Sequence, residues 1–385
     1  MKEIRDIIEA CKKAKQAGKK VALATVVHVE GSSYRRPGAR MLVTEDGELT
    51  GAISGGCLEG DALKKALLAI NQQKNKLVTY NTLDEDDHSI GIQLGCNGIV
   101  YILYEPINFE IENHPVDLLE KTIRQAKPSV LVTLFSLDSK TSEQPGTCLL
   151  TTAKKYGNIY KELEQIIEQD IAAVLNNKTS LIKKYTLLNN DILTGFIELI
   201  KPAVELVIAG AGNDAFPLVQ IASVLGWHIT ITDGRKTHAN IQRFPEVKKI
   251  LVGKPSEVVP QLEINEETVA VLMSHNYNYD LAMLEQLLKQ PGSYIGMLGP
   301  KKKLEKMLDE LEIKGVTITA ADQEKIYGPV GLDIGAETAE EIALSIVSEI
   351  KAVLAKREGG MLRSKNGFIH DHEAVIETIT IPIAQ

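Results

Sequence analysis

From residue 205 onward the chain alternates short apolar runs with helical stretches, and this restricts the fold more than any other feature. Residues 205–209 read as a buried strand and Gly210-Ala-Gly212-Asn-Asp-Ala215 as a glycine turn. A helix over 216–225 follows, then a second strand over 228–232 that ends at Asp233. The alternation continues through 249–252, 268–273, 280–289, 293–298 and 301–311 to a final helix over 339–356. Such a pattern implies a parallel sheet with helices on both faces. A bare Gly-x-Gly says little. Here, though, Gly210 and Gly212 leave a strand and open a helix, and Ala215 stands where the third small residue belongs. Asp233 ends the next strand, where a carboxylate meets a ribose hydroxyl in a dinucleotide site. Asp214 falls in the first helical turn, where it favours the helix dipole but competes with a bound pyrophosphate. Arg235 is placed for a 2′-phosphate or for solvent. The expected fold is Rossmann-like, and nucleotide binding and a purely structural role both stay open.

At 385 residues the chain is too long for one ordinary core. We expect an N-terminal domain over 1–195, a join over 186–203, a Rossmann-like domain over 203–360 and a tail over 361–385. The first domain reads as mixed α/β. A helix over 2–17 carries Ile4, Ile7, Ile8 and Cys11 on one stripe, so Cys11 is core packing. Strands follow over 21–30, 40–44 and 49–53, then a helix over 61–70. Strands over 77–82, 98–104, 129–136 and 147–152 and a helix over 160–175 complete it, with Cys148 as a strand residue. A net charge of −8 argues against a general nucleic-acid partner. Four cysteines without a Cys-x-x-Cys pair resemble neither a disulfide framework nor a zinc site. No apolar run approaches a membrane span, and the N-terminus has no hydrophobic signal core. A reducing cytoplasm fits these features.

Two loops in the first domain carry chemistry. In Gly51-Ala-Ile-Ser-Gly55-Gly56-Cys57-Leu-Glu-Gly60 a thiol lies between two glycines and a helix start. The glycines leave space beside it, and the helix end favours a thiolate or an anion. A lone cysteine in such a turn is more often structural. The loop just upstream, Gly31-Ser32-Ser33-Tyr34-Arg35-Arg36-Pro-Gly-Ala-Arg40, shifts that balance. Its hydroxyls and guanidinium groups suit an anion, most plausibly a phosphate. Cys96 lies in a second glycine-flanked loop, Gly95-Cys-Asn-Gly98. In the second domain, Ser274-His275-Asn276, Gly299-Pro-Lys301 and Gly331-Leu-Asp333 follow strands, where doubly wound sheets place ligands. His370-Asp-His372 offers two metal-type ligands in a tail, too few for a closed site.

These pieces together resemble the XdhC/CoxI family, the xanthine dehydrogenase accessory factors. The N-terminal signature is similar over Gly31–Met41 and Gly51–Glu59. The Rossmann turn, Ser274-His-Asn276, Met297-Leu-Gly-Pro-Lys301 and Gly331–Thr338 are similar to that family's C-terminal domain. Residues 110–200 carry little of the likeness. Two positions depart from the family pattern: Tyr34 stands where proline is common, and Asn213-Asp214 replace a His-Val type of helix opening. The second bears on nucleotide affinity more than on the fold. The resemblance implies a maturation factor that binds the pyranopterin molybdenum cofactor, supports its sulfuration and delivers it to an apo molybdenum hydroxylase. A cysteine desulfurase would be a partner, and a homodimer is expected. Ser32, Ser33, Arg35, Arg36 and Arg40 would hold the cofactor's phosphate. Gly55, Gly56, Cys57 and Cys96 would face its metal end, with Cys57 the first candidate for a molybdenum contact. Gly210, Gly212, Asp233, Arg235, His275, Asn276, Gly299 and Asp333 would serve NAD(P) or another nucleotide. We expect no catalytic set in the chain. The alternatives are an NAD(P)-dependent oxidoreductase using His275 and Asp333 as its proton relay, and a pure docking scaffold.

Overall fold

A computed structural model describes residues 1–81 and 98–366, and the backbone of 377–380. The chain divides into two units, Met1–Pro202 with Asn366–Gln385, and Ala203–Lys365.

The first unit begins with helix α1 (Lys2–Gln16) and strands β1 (Val21–Gly31), β2 (Arg40–Thr44) and β3 (Leu49–Gly51). Helix α2 (Glu59–Gln72) and strands β4 (Lys76–Asn81) and β5 (Gly98–Pro106) follow. The strands form an antiparallel sheet in the order β3-β2-β1-β5-β4. β1 is covered on both faces, which its nearly continuous apolar run requires. On one face α2 lays Ala62, Ala66 and Ala69 against Ala24, Val26 and Ile102, the small residues letting helix and sheet approach closely. On the other, Ile7, Ile8 and Cys11 of α1 pack with Leu23 and Leu42, and with Leu118 and Leu119 of α3 (Pro115–Ile123). Cys11 is buried, which pushes its thiol up to about 11.

A second sheet of this unit contains β6 (Ser129–Phe135), β7 (Gly146–Thr151), β8 (Lys155–Gly157), β9 (Leu181–Thr186) and β10 (Ile192–Ile200). Helix α4 (Glu164–Asn177) packs on it through Ile167, Ile171 and Val174. The join expected over 186–203 is corrected here: β10 is an interior strand paired with β6 and β9. Its apolar pattern is interrupted by Thr194-Gly195 and Glu198, yet all three sit inside. Tyr185 fills the space beside Gly195, leaving a Cβ there only 2.6 Å from its ring.

The second unit is a six-stranded sheet of β11 (Glu205–Ala209), β12 (His228–Asp233), β13 (Lys249–Val252), β14 (Thr268–Leu272), β15 (Tyr294–Met297) and β16 (Ile326–Tyr327). All neighbours are parallel, in the order β13-β12-β11-β14-β15-β16. This is the 3-2-1-4-5-6 arrangement of a Rossmann fold, whose order reverses between β11 and β14. Helices α5 (Ala215–Val224) and α10 (Ala339–Leu354) cover one face. The other carries α6 (Pro255–Val258), α7 (Tyr277–Leu288) and α8 (Lys301–Ile313), with the short α9 (Ala320–Glu324) leading into β16. The expected fold class, mixed α/β followed by a Rossmann-like parallel sheet, is what the structure has. A last strand, β17 (Glu377–Thr380), pairs in parallel with β9, so of the segment expected as a tail over 361–385 residues 366–385 count with the first unit and 361–365 with the second. Among the described residues no helix is long and apolar enough to cross a membrane.

Candidate functional site

The thiol turn is built by two side chains. Ser54 Oγ accepts the Gly56 and Leu58 amides, each at 3.1 Å, and its hydroxyl donates to Glu59. Glu59 also accepts the Ser54 amide at 3.0 Å. Burial works to raise the Glu59 carboxyl, but the Ser54 bonds outweigh it and hold it below the usual range. This closed ring fixes Gly55-Gly56-Cys57 at the start of α2. Gly56 has φ +113°, a conformation that favours glycine, and apart from its two chain neighbours no described residue comes within 4 Å of where its Cβ would stand. Cys57 is half-buried, has a free thiol and leans on the core between α2 and the sheet. The Tyr34 ring, 65% exposed, lies at 3.4 Å from a Cβ built on Gly55. The two loops singled out in the sequence therefore meet, face to face, at Tyr34 and Gly55.

The arginines behave differently from expectation. Arg40 is only 2% exposed and forms a two-pronged pair with Glu198 of β10 while also donating to Gly38 O at 2.8 Å. It ties sheet to sheet within the unit and presents no guanidinium to a ligand. Arg35 is bonded to Glu3 of α1 at 2.5 Å, and Glu3 also accepts the Arg40 amide at 3.4 Å. Two of the three guanidinium groups thus hold the loop in shape, which corrects their assignment as surface anion ligands. Ser32 is exposed, and Ser33 and Arg36 are half-buried. The Ser32 backbone presses on Gly98 at the start of β5, leaving no room for a Cβ. Cys96, the acidic stretch 84–88 and His370-Asp-His372 lie outside the described residues. Cys148 is the strand residue expected, its thiol near Val132 O and pushed up to about 12 by burial.

Several polar groups around this region escaped the sequence. Glu105 of β5, fully enclosed near Arg40, accepts the Thr147 amide at 2.6 Å and its hydroxyl at 2.9 Å. Burial, partly opposed by those bonds, raises its carboxyl to about 6. Asp61, in the first turn of α2, accepts from Tyr80 at 3.0 Å, and Tyr80 meets buried Tyr104 at 2.9 Å. Burial pushes both phenols up. His28 of β1 is buried and stacked on Tyr101, with Glu30 at 3.7 Å. Burial pulls its imidazole below the usual range. Alternation along β4 and β5 marks Tyr80 and Tyr104 as inward-facing, but nothing local names their partners.

In the second unit, the residues of the fingerprint are brought together and bonded to one another. Gly210 has φ +128°, and a Cβ there would stand 2.5 Å from Met273 O. Ala215 is fully buried, as the third small residue should be. Asp233 accepts the Ala211 amide at 2.8 Å, the Arg235 amide at 2.8 Å, and Arg235 Nε and Nη2 at 2.9 and 2.7 Å. Burial works against this carboxylate, but the Arg235 and Ala211 bonds keep it below the usual range. Asp214, which sequence placed in the first turn of α5, is paired with His275 at 2.7 Å. Asn276 caps α7 by accepting the Tyr279 amide at 3.1 Å. Lys303 reaches under Gly299 to Asp280 at 2.8 Å and Leu298 O at 3.1 Å, while the Ser274 hydroxyl donates to Asp280 at 2.5 Å. Asp333 is exposed on its loop.

A family model described as the XdhC and CoxI family matches residues 14–81, and one described as the XdhC Rossmann domain matches 206–350. A Bacillus subtilis protein whose name makes it a probable xanthine dehydrogenase subunit is 30% identical over 85% of this chain and 91% of its own length. This chain belongs to the XdhC and CoxI family. Another relative, the Escherichia coli molybdenum cofactor insertion chaperone PaoD, is 24% identical over 92% of this chain and 90% of its own. A Bacillus halodurans protein whose crystal structure is described as a xanthine dehydrogenase superposes with a TM-score of 0.72 at 28% identity. It covers 92% of this chain and 97% of the other. The two XdhC matches fall on the two surfaces just described: the first spans Tyr34 and Cys57, the second runs from β11 into α10. Among the described residues of this XdhC chain, no group of three His, Cys, Asp or Glu is arranged to hold a metal ion.

Proposed function

We propose that this XdhC/CoxI chain takes the molybdenum cofactor as cargo on the surface formed by Tyr34, Gly55, Gly56 and Cys57. It supports sulfuration of the cofactor and passes it to an apo molybdenum hydroxylase such as xanthine dehydrogenase. The observation that carries this reading is the meeting of the two loops, which sets a half-buried thiol beside an open glycine face and an exposed aromatic ring. Each part suits the cargo. A thiol is a soft donor for a metal end. The Tyr34 ring offers a flat apolar face to a pterin. The hydroxyls of Ser32 and Ser33, with Arg36, supply donors for a phosphate. The names of the Bacillus subtilis and Escherichia coli relatives agree with a role in maturing such enzymes.

The chain itself binds, orients and shields; sulfur would come from a cysteine desulfurase partner. Ser54 and Glu59 hold the thiol's backbone still, so the site is formed before cargo arrives. We take the working form as a cytoplasmic homodimer, which light scattering on the purified chain checks. Reconstitution with isolated cofactor tests the assignment. Cys57→Ala should retain at least about tenfold less cofactor, measured as the oxidised fluorescent pterin, and activate apo-hydroxylase correspondingly less, a loss of about 1.4 kcal/mol or more. Cys148→Ala, in a strand away from the turn, should behave as wild type. Full cofactor retention and full target activation by Cys57→Ala would sink the assignment.

A further inference from the structure

The glycine turn after β11 lies beside the gap between β11 and β14, where a Rossmann fold receives the pyrophosphate of a dinucleotide. In this protein the position is filled from within. The Asp214 carboxylate lies against the open face of Gly212, in the space a Cβ would take. Its second oxygen is 2.7 Å from His275 Nε2. His275 reaches it from the opposite side of the gap, after β14, with a left-handed backbone at φ +57°. Asp214 occupies the N-cap position of α5 but makes no side-chain cap bond there, so its carboxylate is not needed to end the helix.

A second observation points the same way and is independent of the first. Asp233, the carboxylate that would accept a ribose hydroxyl, already takes four donors from Ala211 and Arg235. Arg243, stacked on Phe216, is committed to Ala211 O at 3.1 Å and Asn213 Oδ1 at 2.8 Å, so it reinforces the turn from behind.

We infer that Asp214 is a specificity-determining residue that closes the glycine turn to dinucleotide phosphates, with His275 holding its carboxylate across the turn. A pyrophosphate oxygen brought within about 4 Å of a carboxylate near a protein surface meets a repulsion equivalent to roughly a thousandfold in affinity. Solvent and salt reaching this partly open turn screen part of it, leaving a penalty of about ten- to a hundredfold. The Arg235 clasp on Asp233 is a weaker barrier, because the Arg235 side chain is half exposed and can swing away. This inference concerns the second unit alone. It stands or falls separately from cargo binding beside Cys57.

The test is titration of the full-length protein with NADH by nicotinamide fluorescence and with ADP-ribose by calorimetry. Wild type should bind both with Kd weaker than about 1 mM. Asp214→Ser keeps a good N-cap residue and removes the charge, and it should bind at least about tenfold tighter. Asp214→Asn, of the same shape, should gain in the same direction. His275→Ala frees the carboxylate from its partner but keeps its charge beside the turn, so it should gain clearly less than Asp214→Ser. Micromolar binding by wild type overturns the inference, as does a failure of both Asp214 variants to bind more tightly. So does His275→Ala binding as tightly as Asp214→Ser, which would move the exclusion to the imidazole. Thermal melting of each variant shows that the fold is retained.

Discussion

The turn at Gly55-Gly56 and the turn at Gly210-Ala211-Gly212, one in each unit, share a pattern in sequence. Each follows a strand, precedes a helix and has an acidic residue near the helix start. They differ in what occupies the space the glycines leave. Around Gly56 no described atom fills it, and the nearby carboxylates of Glu59 and Asp61 are drawn away, one by Ser54 and the other by Tyr80. Around Gly212 the carboxylate of Asp214 turns inward and His275 holds it there. A glycine-rich turn therefore specifies a backbone path; the direction taken by the next carboxylate decides whether that path is an open site. The first turn is open at Gly56, and the other is filled at Gly212.

Four substitutions break or sharpen this contrast. The largest effect should come from Glu198→Ala, which strands Arg40 in the interior and should cost about 3–5 kcal/mol. Urea or thermal unfolding measures it; a silent variant would mean that Arg40 is available to a ligand after all. Gly210→Ala comes next. A Cβ there meets the Met273 backbone, which cannot move without shifting β14, so a loss on the order of 3–4 kcal/mol is expected.

Gly56→Ala is the matching change at the open turn. With no described neighbour to displace, only the positive φ is penalised, about 1–2 kcal/mol, and the melting temperature should fall correspondingly less. Equal losses at Gly56 and Gly210 would erase the distinction between open and filled.

Glu105→Gln should be a gain where the other three are losses, and it should depend on pH. The folded carboxyl is raised to about 6 from an ordinary value of 4.5, so the fold favours its protonated form. That contribution is complete below about pH 4.5 and disappears as pH rises through about 6. Replacing the acid by a neutral amide should therefore raise stability relative to wild type above about pH 6, by at most about 2 kcal/mol, and leave it little changed at about pH 4. Melting curves of both proteins at intervals from about pH 4 to about pH 7.5 give the difference directly. A gap that is constant across that range would remove Glu105 from the titration.

Much of the architecture was legible because it rests on local periodicity. The apolar runs of β11, β12 and β14, the glycine turn and Asp233 together name a parallel sheet before any contact is known. α1 was legible from its stripe. β10 was not, because Thr194, Gly195 and Glu198 break its apolar pattern. Those residues are tolerated inside only because Tyr185 fills the space at Gly195 and Arg40 neutralises Glu198. The site followed the same rule. The loop of residues 31–40 and the thiol turn were visible as compositions, yet Arg35 and Arg40 were expected to serve a ligand. Their true partners, Glu3 and Glu198, are distant in the chain or on another element. Asp214 was visible as a competitor for anions, whereas its partner His275 stands after a different strand and became apparent only when β11 and β14 were side by side.

The pairing of β17 with β9 has a consequence for how the protein is made. The whole Rossmann unit is an insertion in sequence between β10 and the strand that completes the edge of the first unit's larger sheet. On the ribosome, that sheet must wait with β9 unpaired on one side while residues 201–376 are synthesised. At roughly 5–20 residues per second, the wait lasts on the order of ten seconds or more. The second unit is continuous and can finish folding during that interval, so the unit begun first is the one completed last. Changes at the far end of the chain should then be felt in the sheet next to the amino-terminal half, and not in the unit that precedes them in sequence.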